Sequence, residues 1–141
     1  MAAAKYFQVP GPMGDYYEAT GFSHAVVLPA GAQLVIASGQ PGLNSEARMS
    51  ALPAEQLESA FDNCDAALKA AGVTDGLRKA HKIHCFLLDT ALERQMMEIW
   101  RRKWPGHRPT WMTLGCTALC GAGMIVEIQV EAHFAPNKPA L

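Results

Sequence analysis

Strict alternation over residues 124–134 constrains this chain more than any other feature of its sequence. The even positions are all apolar, and the odd positions are Ile125, Glu127, Gln129, Glu131 and His133, of which four are polar. A side-chain period of two predicts a β-strand with one face on the core. The polar face has two interpretations: exposure to solvent, or the lining of a subunit interface or cleft where a carboxylate can transfer protons.

Length and composition predict one domain, residues 1–141, with a substantial core, since half of the 141 residues are hydrophobic and 18% are charged. The net charge is −1 and no basic stripe is present, so we expect no nucleic-acid partner. No apolar run reaches the roughly 18–20 residues that span a bilayer, and the N-terminal residues lack a signal peptide's pattern. We therefore expect a cytoplasmic protein without a membrane partner.

The histidines and cysteines do not predict a metal site. Four irregularly spaced cysteines in such a chain indicate reduced thiols, and Cys64 and Cys85 fall in apolar patterns typical of a core. On a strand, His81 and Cys85 would share a face while His84 points the other way. No phosphate-binding glycine loop is present either. We expect neither a metal nor a cofactor.

The elements follow from changes of period along the chain. Residues 1–20 are interpreted as an irregular lead-in, and residues 24–29 and 33–38 as a hairpin. Leu57, Phe61, Cys64 and Leu68 form the apolar stripe of a helix over 53–71. The remaining predicted elements are a strand at 79–88, a helix opened by a Thr90-x-x-Glu93 capping box and running to Trp104, a strand at 111–117, and the alternating strand.

The predicted order is β-β-α-β-α-β-β. Two helices on one face of a mixed sheet make an α+β sandwich, and the other sheet face stays open. Small domains usually cover such a face by self-association.

Between about Phe22 and Ala135 the chain resembles the Rid family, the YjgF-type reactive intermediate deaminases. The resemblance rests on the order and spacing of five short segments: 22–26 (FSHAV), 38–40 (SGQ), 60–72 (AFDNC followed by ALKAAG), 109–111 (PTW) and 126–128 (VEI). It covers about four-fifths of the chain.

The resemblance implies a chorismate-mutase-like fold and a homotrimer with three clefts between subunits. It also implies hydrolysis of enamines and imines from pyridoxal-phosphate enzymes, without metal or cofactor. In the bacterial-type members a glutamate holds the attacking water, the backbone around Ser-Gly contributes to the cleft, and an arginine grips the substrate carboxylate. Glu127, Ser38 and Gly39 match the first two features. Related proteins also place an aromatic at the cleft mouth, which matches Tyr16 or Tyr17.

Trp111 stands where the family has its arginine, and Thr113 where a cysteine is common. Tryptophan cannot form the bidentate grip of a guanidinium, and offers one N–H and a flat aromatic face. The Pro-x-Trp form resembles a divergent, mostly fungal branch associated with natural-product pathways. Trp111 has two interpretations, a cleft residue that stacks on an aromatic substrate or a packing residue. Phe22 and His24 are further candidates for substrate contacts, and His24 is alternatively a surface residue.

The leading hypothesis is a small-molecule enzyme in which Glu127 moves protons and the Ser38-Gly39 backbone stabilises an oxyanion. The substrate is an enamine or imine, or a related enol or ketone, and the reaction is hydrolysis, isomerisation, dehydration or cyclisation in a natural-product pathway. The alternatives are a standard 2-iminoacid deaminase, a non-catalytic small-molecule-binding homologue, and a ribonuclease, which the charge balance does not support.

Overall fold

The computed structural model describes residues 3–134, which contain three α-helices and seven strands. The helices are α1 (Pro12–Thr20), α2 (Pro53–Ala70) and α3 (Glu93–Lys103). The strands are β1 (Lys5–Phe7), β2 (Ala25–Val27), β3 (Gln33–Ile36), β4 (Gln40–Pro41), β5 (Ala80–Leu87), β6 (Thr110–Gly115) and β7 (Val126–Phe134). Short 3-10 helices lie at Gly76–Lys79 and Thr90–Leu92.

The main sheet has the order β3-β7-β5-β6, and β4 also pairs with β7. Only the β5–β6 pairing is parallel, so the sheet is mixed. Strand β7 is central, and its even-numbered residues from Val126 to Ala132 are buried. The alternating strand predicted from the sequence is therefore confirmed.

Helices α2 and α3 cover one face of this sheet. The predicted α2 stripe is confirmed, because Leu57, Phe61, Cys64 and Leu68 are all fully buried. The opposite face is open in a single chain. It carries apolar side chains on the outer strands, Leu34 and Ile36 of β3 and Met112 and Leu114 of β6, and mostly polar ones between them. The α+β sandwich is confirmed.

The irregular lead-in predicted for residues 1–20 is wrong. Strand β1 and helix α1 lie there, so residues 3–134 contain three α-helices and not two. Helix α1 begins with Pro12 and ends at Thr20, and it is followed by Gly21, whose φ of 102° is favourable only for glycine. Met13, Tyr16 and Tyr17 have helical spacing, but the helix has only nine residues and Gly14 is its one buried residue, so no buried apolar stripe revealed it.

The predicted hairpin of residues 24–29 and 33–38 is also wrong. Strand β2 pairs with β1 in a separate two-stranded sheet, and β3 pairs with β7. Strand β3 pairs with the long central strand β7 instead. In this pairing Val35 of β3 lies opposite Ala132 of β7. The long-range pairing of β3 with β7 therefore outweighed the local turn residues that predicted a hairpin.

The predicted capping box at Thr90 does not form. Asp89 accepts a hydrogen bond from the Ala91 backbone N–H at 2.9 Å, and Thr90 begins a 3-10 turn. Helix α3 begins only at Glu93. An aspartate one position earlier is as good a cap as threonine, and the chain uses it.

A register shift in β5 lies between Ala80 and Lys82. The bulge turns the His81 ring towards β7, where its Nδ1 lies 3.1 Å from Nδ1 of His133. The prediction that His81 shares a face with Cys85 is therefore wrong. Cys64 and Cys85 are buried as predicted, and burial raises the pKa of the Cys64 thiol to about 12. Within residues 3–134, no helix combines the length and apolarity required to cross a membrane.

Candidate active site

A pocket of about 320 Å³ opens beside Glu127 near the start of β7. Its walls come from β5, β7, the turn before β4 and the loop after β6. The lining residues are Gly39, Phe86, Cys116, Ala118, Leu119, Glu127 and Gln129. The volume is in the range of small-molecule sites. Alternation along β7 places Glu127 on the open face, as the sequence predicted, and its side chain is half-buried.

Gly39 lies directly against the Glu127 carboxyl group. A Cβ built on Gly39 would lie 3.0 Å from Cδ of Glu127 and would collide with its Oε1. Only glycine therefore lets the main chain approach the carboxylate this closely. The structure brings together two of the three predicted catalytic positions, Glu127 and Gly39.

Ser38, the third predicted catalytic position, is exposed and does not line this pocket. Its carbonyl accepts a hydrogen bond from Gln40 Nε2 at 3.1 Å. Ser38 is thus next to the site in the chain and contributes main chain to the turn that presents Gly39.

Sequence reasoning missed four of the pocket residues: Phe86, Cys116, Ala118 and Leu119. Phe86 lies opposite Glu127 in the β5–β7 pairing and could have been found from the alternation of β5. Gln129 was placed on the polar face of β7 but not in the site. Its Nε2 donates to the Ala37 carbonyl at 3.2 Å and so ties the turn before Gly39 to β7. No sequence signal marked the loop after β6.

The predicted substrate-contacting residues form a second, separate group. Trp111 stacks on Phe22 with ring centroids 5.3 Å apart and packs edge-on against Trp100 of α3 at 5.2 Å. Its indole N–H donates to Thr113 Oγ1 at 3.0 Å. Because Trp111 pairs with the buried Ile83, it lies on the helix-covered face. Trp111 therefore packs partly into the core, as one of its two interpretations predicted.

The same aromatic group continues to α1. Tyr17 contacts Phe22 edge-on at 5.9 Å and stacks on His24 at 3.9 Å. His24 Nδ1 lies 2.9 Å from Gln8 Oε1. The unpredicted helix α1 is thus the element that brings Tyr17 to the other four residues. We call Tyr17, Phe22, His24, Trp111 and Thr113 the aromatic group, and Gly39 with Glu127 the carboxylate group.

The two groups are separate within one chain. Glu127 faces the open side of the sheet, whereas Trp111 and Thr113 face the helices, so the sheet lies between them. Strand β5 also separates β7 from β6, which sets the two strands about 10 Å apart. Trp111 and Glu127 therefore share no pocket within one subunit, and the prediction that Trp111 lines a cleft between subunits stays a prediction.

Ionisable side chains continue along the open face beyond the pocket. Glu131 lies 3.2 Å from Lys82 Nζ and 3.5 Å from His81 Nε2. Burial lowers the pKa of His81, and the neighbouring His133 lowers it further, while Glu131 opposes both effects. Burial also lowers the pKa of His84, which lies opposite Gln129. The lowered pKa values favour the neutral form of both imidazoles, which lie on the same face as the side chains of Glu127 and Glu131. Within residues 3–134 no cluster of three or more His, Cys, Asp or Glu has the arrangement of a metal site.

Comparison with known proteins identifies the class. The family model described as endoribonuclease L-PSP matches residues 15–134. No curated protein matches the sequence. Among solved structures, the Rid-family protein YyfB from Yersinia pestis is similar with a TM-score of 0.79 at 16% identity, covering 94% of this chain and all of that one. RidA from the Antarctic bacterium Psychrobacter has a TM-score of 0.66 at 24% identity, covering 82% and 95%. TdcF from Escherichia coli, solved with bound serine, has a TM-score of 0.65 at 18% identity over the same shares.

The chain belongs to the endoribonuclease L-PSP family, the group that includes the Rid and YjgF proteins. The resemblance identified from the sequence is confirmed, and so is the fold that it implied. Trp111, which stands where the family has an arginine, lies within the residues that match the family model.

Proposed function

We propose that this protein is a cytoplasmic, cofactor-independent Rid-type enzyme that acts on an enamine or imine, or on a related enol or ketone. The observation that carries the proposal is the Glu127 carboxylate, half-buried beside a pocket of about 320 Å³ and packed against Gly39. A carboxyl group in such a place can exchange protons with a bound small molecule. Gly39 leaves its main chain next to the reacting atoms.

Glu127 would serve both halves of the hydrolysis. Its protonated form donates to the enamine carbon, which gives the imine. Its carboxylate then accepts a proton from water as that water adds to the imine carbon, and the resulting carbinolamine collapses to a ketone and ammonia. One carboxyl group thus acts first as acid and then as base. The first step alone is an enamine–imine tautomerisation, and the same proton transfer on an enol, run in both directions, is a keto–enol isomerisation.

A homotrimer would complete the cleft. The carboxylate group lies on the open sheet face, and the aromatic group includes Trp111 and Thr113 of β6, an edge strand of that sheet. The apolar Leu34 and Ile36 on β3, and Met112 and Leu114 on β6, border the open face and are 40–61% exposed. Covering them in an assembly would bury apolar area and could place one subunit's aromatic group opposite its neighbour's Glu127.

The tryptophan at position 111 affects which class of substrate the cleft would favour. Without a guanidinium in this position the cleft lacks the family's bidentate carboxylate anchor. Tyr16 is 62% exposed and lies 6.1 Å from the Tyr17 ring, so the rim of the aromatic group can contact a flat substrate. This favours an aromatic or polyene substrate, as in a natural-product tailoring step, over the small amino-acid-derived ligands suggested by the serine bound to TdcF.

The test uses an enamine generated from serine or threonine by a dehydratase. Faster ketoacid release that is lost in Glu127→Gln supports hydrolysis. Glu131→Gln is the matched control, because Glu131 lies on the same face of β7 but outside the pocket. If release is not accelerated, deuterium uptake from D2O at the α-carbon of an aromatic 1,3-dicarbonyl compound tests the isomerase form.

The outcomes separate the alternatives. Glu127-dependent deuterium uptake without hydrolysis assigns an isomerase or cyclase. Ligand binding without either reaction favours the non-catalytic homologue. RNA cleavage by wild type that Glu127→Gln does not alter would contradict the proposal.

A further inference from the structure

The main-chain pairing that holds Gly39 beside Glu127 is short. Strand β4 has two residues, and its pairs with β7 are Gln40 with Ile128 and Pro41 with Glu127. Proline has no backbone N–H and cannot donate to this ladder. Two pairs of which one lacks a donor give little resistance to movement of residues 39–41, so other contacts must hold the close approach.

Asn63 of α2 supplies one such contact. Its Nδ2 donates to the carbonyl oxygens of Pro41 and Leu43, both at 2.8 Å. Both hydrogens of one amide are thus used on the segment that follows Gly39. Because both partners are acceptors, a carboxylate of the same shape cannot replace the amide.

Gln56, seven residues earlier on the same side of α2, holds the other half of the site. It is 2% exposed, and its Nε2 donates to the carbonyls of Ser50 and Gly123 at 2.9 and 3.0 Å. Its Oε1 accepts from the Ile125 N–H at 2.7 Å, two residues before Glu127. The bonds to Gly123 and Ile125 fix the segment that leads into β7 and Glu127, and the bond to Ser50 holds the chain just before α2.

Gly42 adds a backbone contact between the same elements. A Cβ at Gly42 would collide with the main-chain carbonyl of Gln56. The loop after β4 thus lies directly on α2, and the two carbonyls that Asn63 binds, those of Pro41 and Leu43, flank Gly42.

We propose that Gln56 and Asn63 are positioning residues that act through main chain to set the gap between Gly39 and the Glu127 carboxylate. Neither side chain lines the pocket. Both residues belong to α2, so this one helix positions the Gly39 segment as well as the start of β7, which carries Glu127. The catalytic consequence rests on the proposed function, whereas the geometric consequence does not.

The test compares two substitutions on α2 that remove similar contacts. Asn63→Asp keeps the shape and removes both donors. Asp65→Ala is the control: Asp65 accepts from the Leu77 N–H at 2.8 Å and so anchors a different loop, away from Gly39. Asn63→Ser, which keeps one donor, is the second variant if Asn63→Asp does not fold. The readouts are amide chemical shifts and hydrogen exchange over residues 39–44, and kcat and KM for the Glu127-dependent reaction.

For Asn63→Asp we expect exchange over residues 39–44 about tenfold faster, with shifted Gly39 and Gln40 amides, since opening the loop no longer breaks two hydrogen bonds. We expect kcat to fall about tenfold with KM little changed, and Asn63→Ser to be intermediate. Asp65→Ala should lower the melting temperature while leaving these amides and kcat unchanged.

A purely structural role would appear as equal losses of stability in the Asn63 and Asp65 variants with unchanged Gly39 and Gln40 amides. That result would overturn the inference. Perturbed amides in a protein that shows no Glu127-dependent reaction would keep the positioning role and reject the proposed function, so the two failures are distinguishable.

Discussion

The carboxylate group and the aromatic group differ in what holds them. Gly39 and Glu127 are brought together by main-chain approach and by amide side chains from α2, with little side-chain packing of their own. Trp111 and Phe22 are held by aromatic contacts that reach Trp100 in the core. Function at the first depends on accurate backbone placement, whereas the second also contributes to the stability of the fold. Substitutions in the two regions should therefore have different effects.

The largest effect should follow Glu127→Gln. Removing the only proposed acid/base should lower kcat/KM by about 10²- to 10⁴-fold, because glutamine can neither donate nor accept a proton at the reacting atoms. The melting temperature should change little, since Glu127 is half-buried and borders a pocket. Steady-state kinetics and thermal unfolding of the same preparation measure both. A large loss of stability with an unchanged rate would show that Glu127 belongs with the packing residues.

Trp111→Ala should show the reverse balance. Losing the contacts with Phe22, Phe61 and Trp100 should destabilise the fold by about 3 kcal/mol, as truncation of a large core aromatic does. Met112→Ala is the control, because the neighbouring Met112 is 40% exposed on the open face. Denaturant unfolding of both variants gives the comparison. Equal stability of the two variants would mean that Trp111 is free to serve the cleft alone.

Trp111→Arg tests the substrate side of the same residue. An arginine at this position can bind a carboxylate with two hydrogen bonds, so we expect a gain in deamination of small carboxylate-bearing imines. Because its charge does not suit the apolar surroundings of Trp111, we also expect the fold to be less stable. Ketoacid release by the folded fraction is the measurement. No gain in an assembled variant would assign Trp111 to packing only.

Gly39→Ala should have a moderate effect on the carboxylate group. The added Cβ collides with the Glu127 carboxylate, so either the turn or the side chain must move. We expect about a tenfold loss of kcat with a stability change under about 1 kcal/mol, because the residue is half-buried in a turn. The same kinetic and unfolding measurements apply. An unchanged kcat would mean that the approach of Gly39 is incidental to the reaction.

The smallest effect should be the pH dependence of stability. Burial lowers the pKa of His81, His107 and His133 in the folded protein. The unfolded chain binds protons at these residues near pH 6.5, so its proton uptake exceeds that of the folded state below that pH. The free energy of unfolding should therefore fall as pH is lowered through about 6.5, and should depend little on these groups above it.

Chemical unfolding between pH 5 and 8 measures this dependence, and His107→Gln should reduce its slope. Stability that rises on acidification would contradict the assignment.

The sequence predicted the covered half of the fold better than the site. The predictions of the α2 stripe and of β7 were correct, because burying one face of a helix or strand requires apolar residues at a regular spacing that is visible in the sequence. The partners of β2 and β3 were missed because they depend on long-range pairing, and helix α1 was missed because it is short and its one buried residue is Gly14. Glu127 and Gly39 could be predicted from motifs. The segregation of Trp111 from Glu127 could not, since it depends on which face each strand turns to the helices.

Subunit mixing tests the central claim most directly, namely that one subunit's carboxylate group and a neighbour's aromatic group form one cleft. Glu127→Gln subunits, which lack the carboxylate, are unfolded and refolded with subunits carrying Tyr17→Ala, which removes the ring that contacts Phe22 edge-on and stacks on His24. Each parent alone should have little activity. Random assembly in a cyclic trimer should restore about a quarter of the wild-type clefts, and activity in that proportion. Activity of the mixture that does not exceed the sum of the parents would contradict the shared cleft.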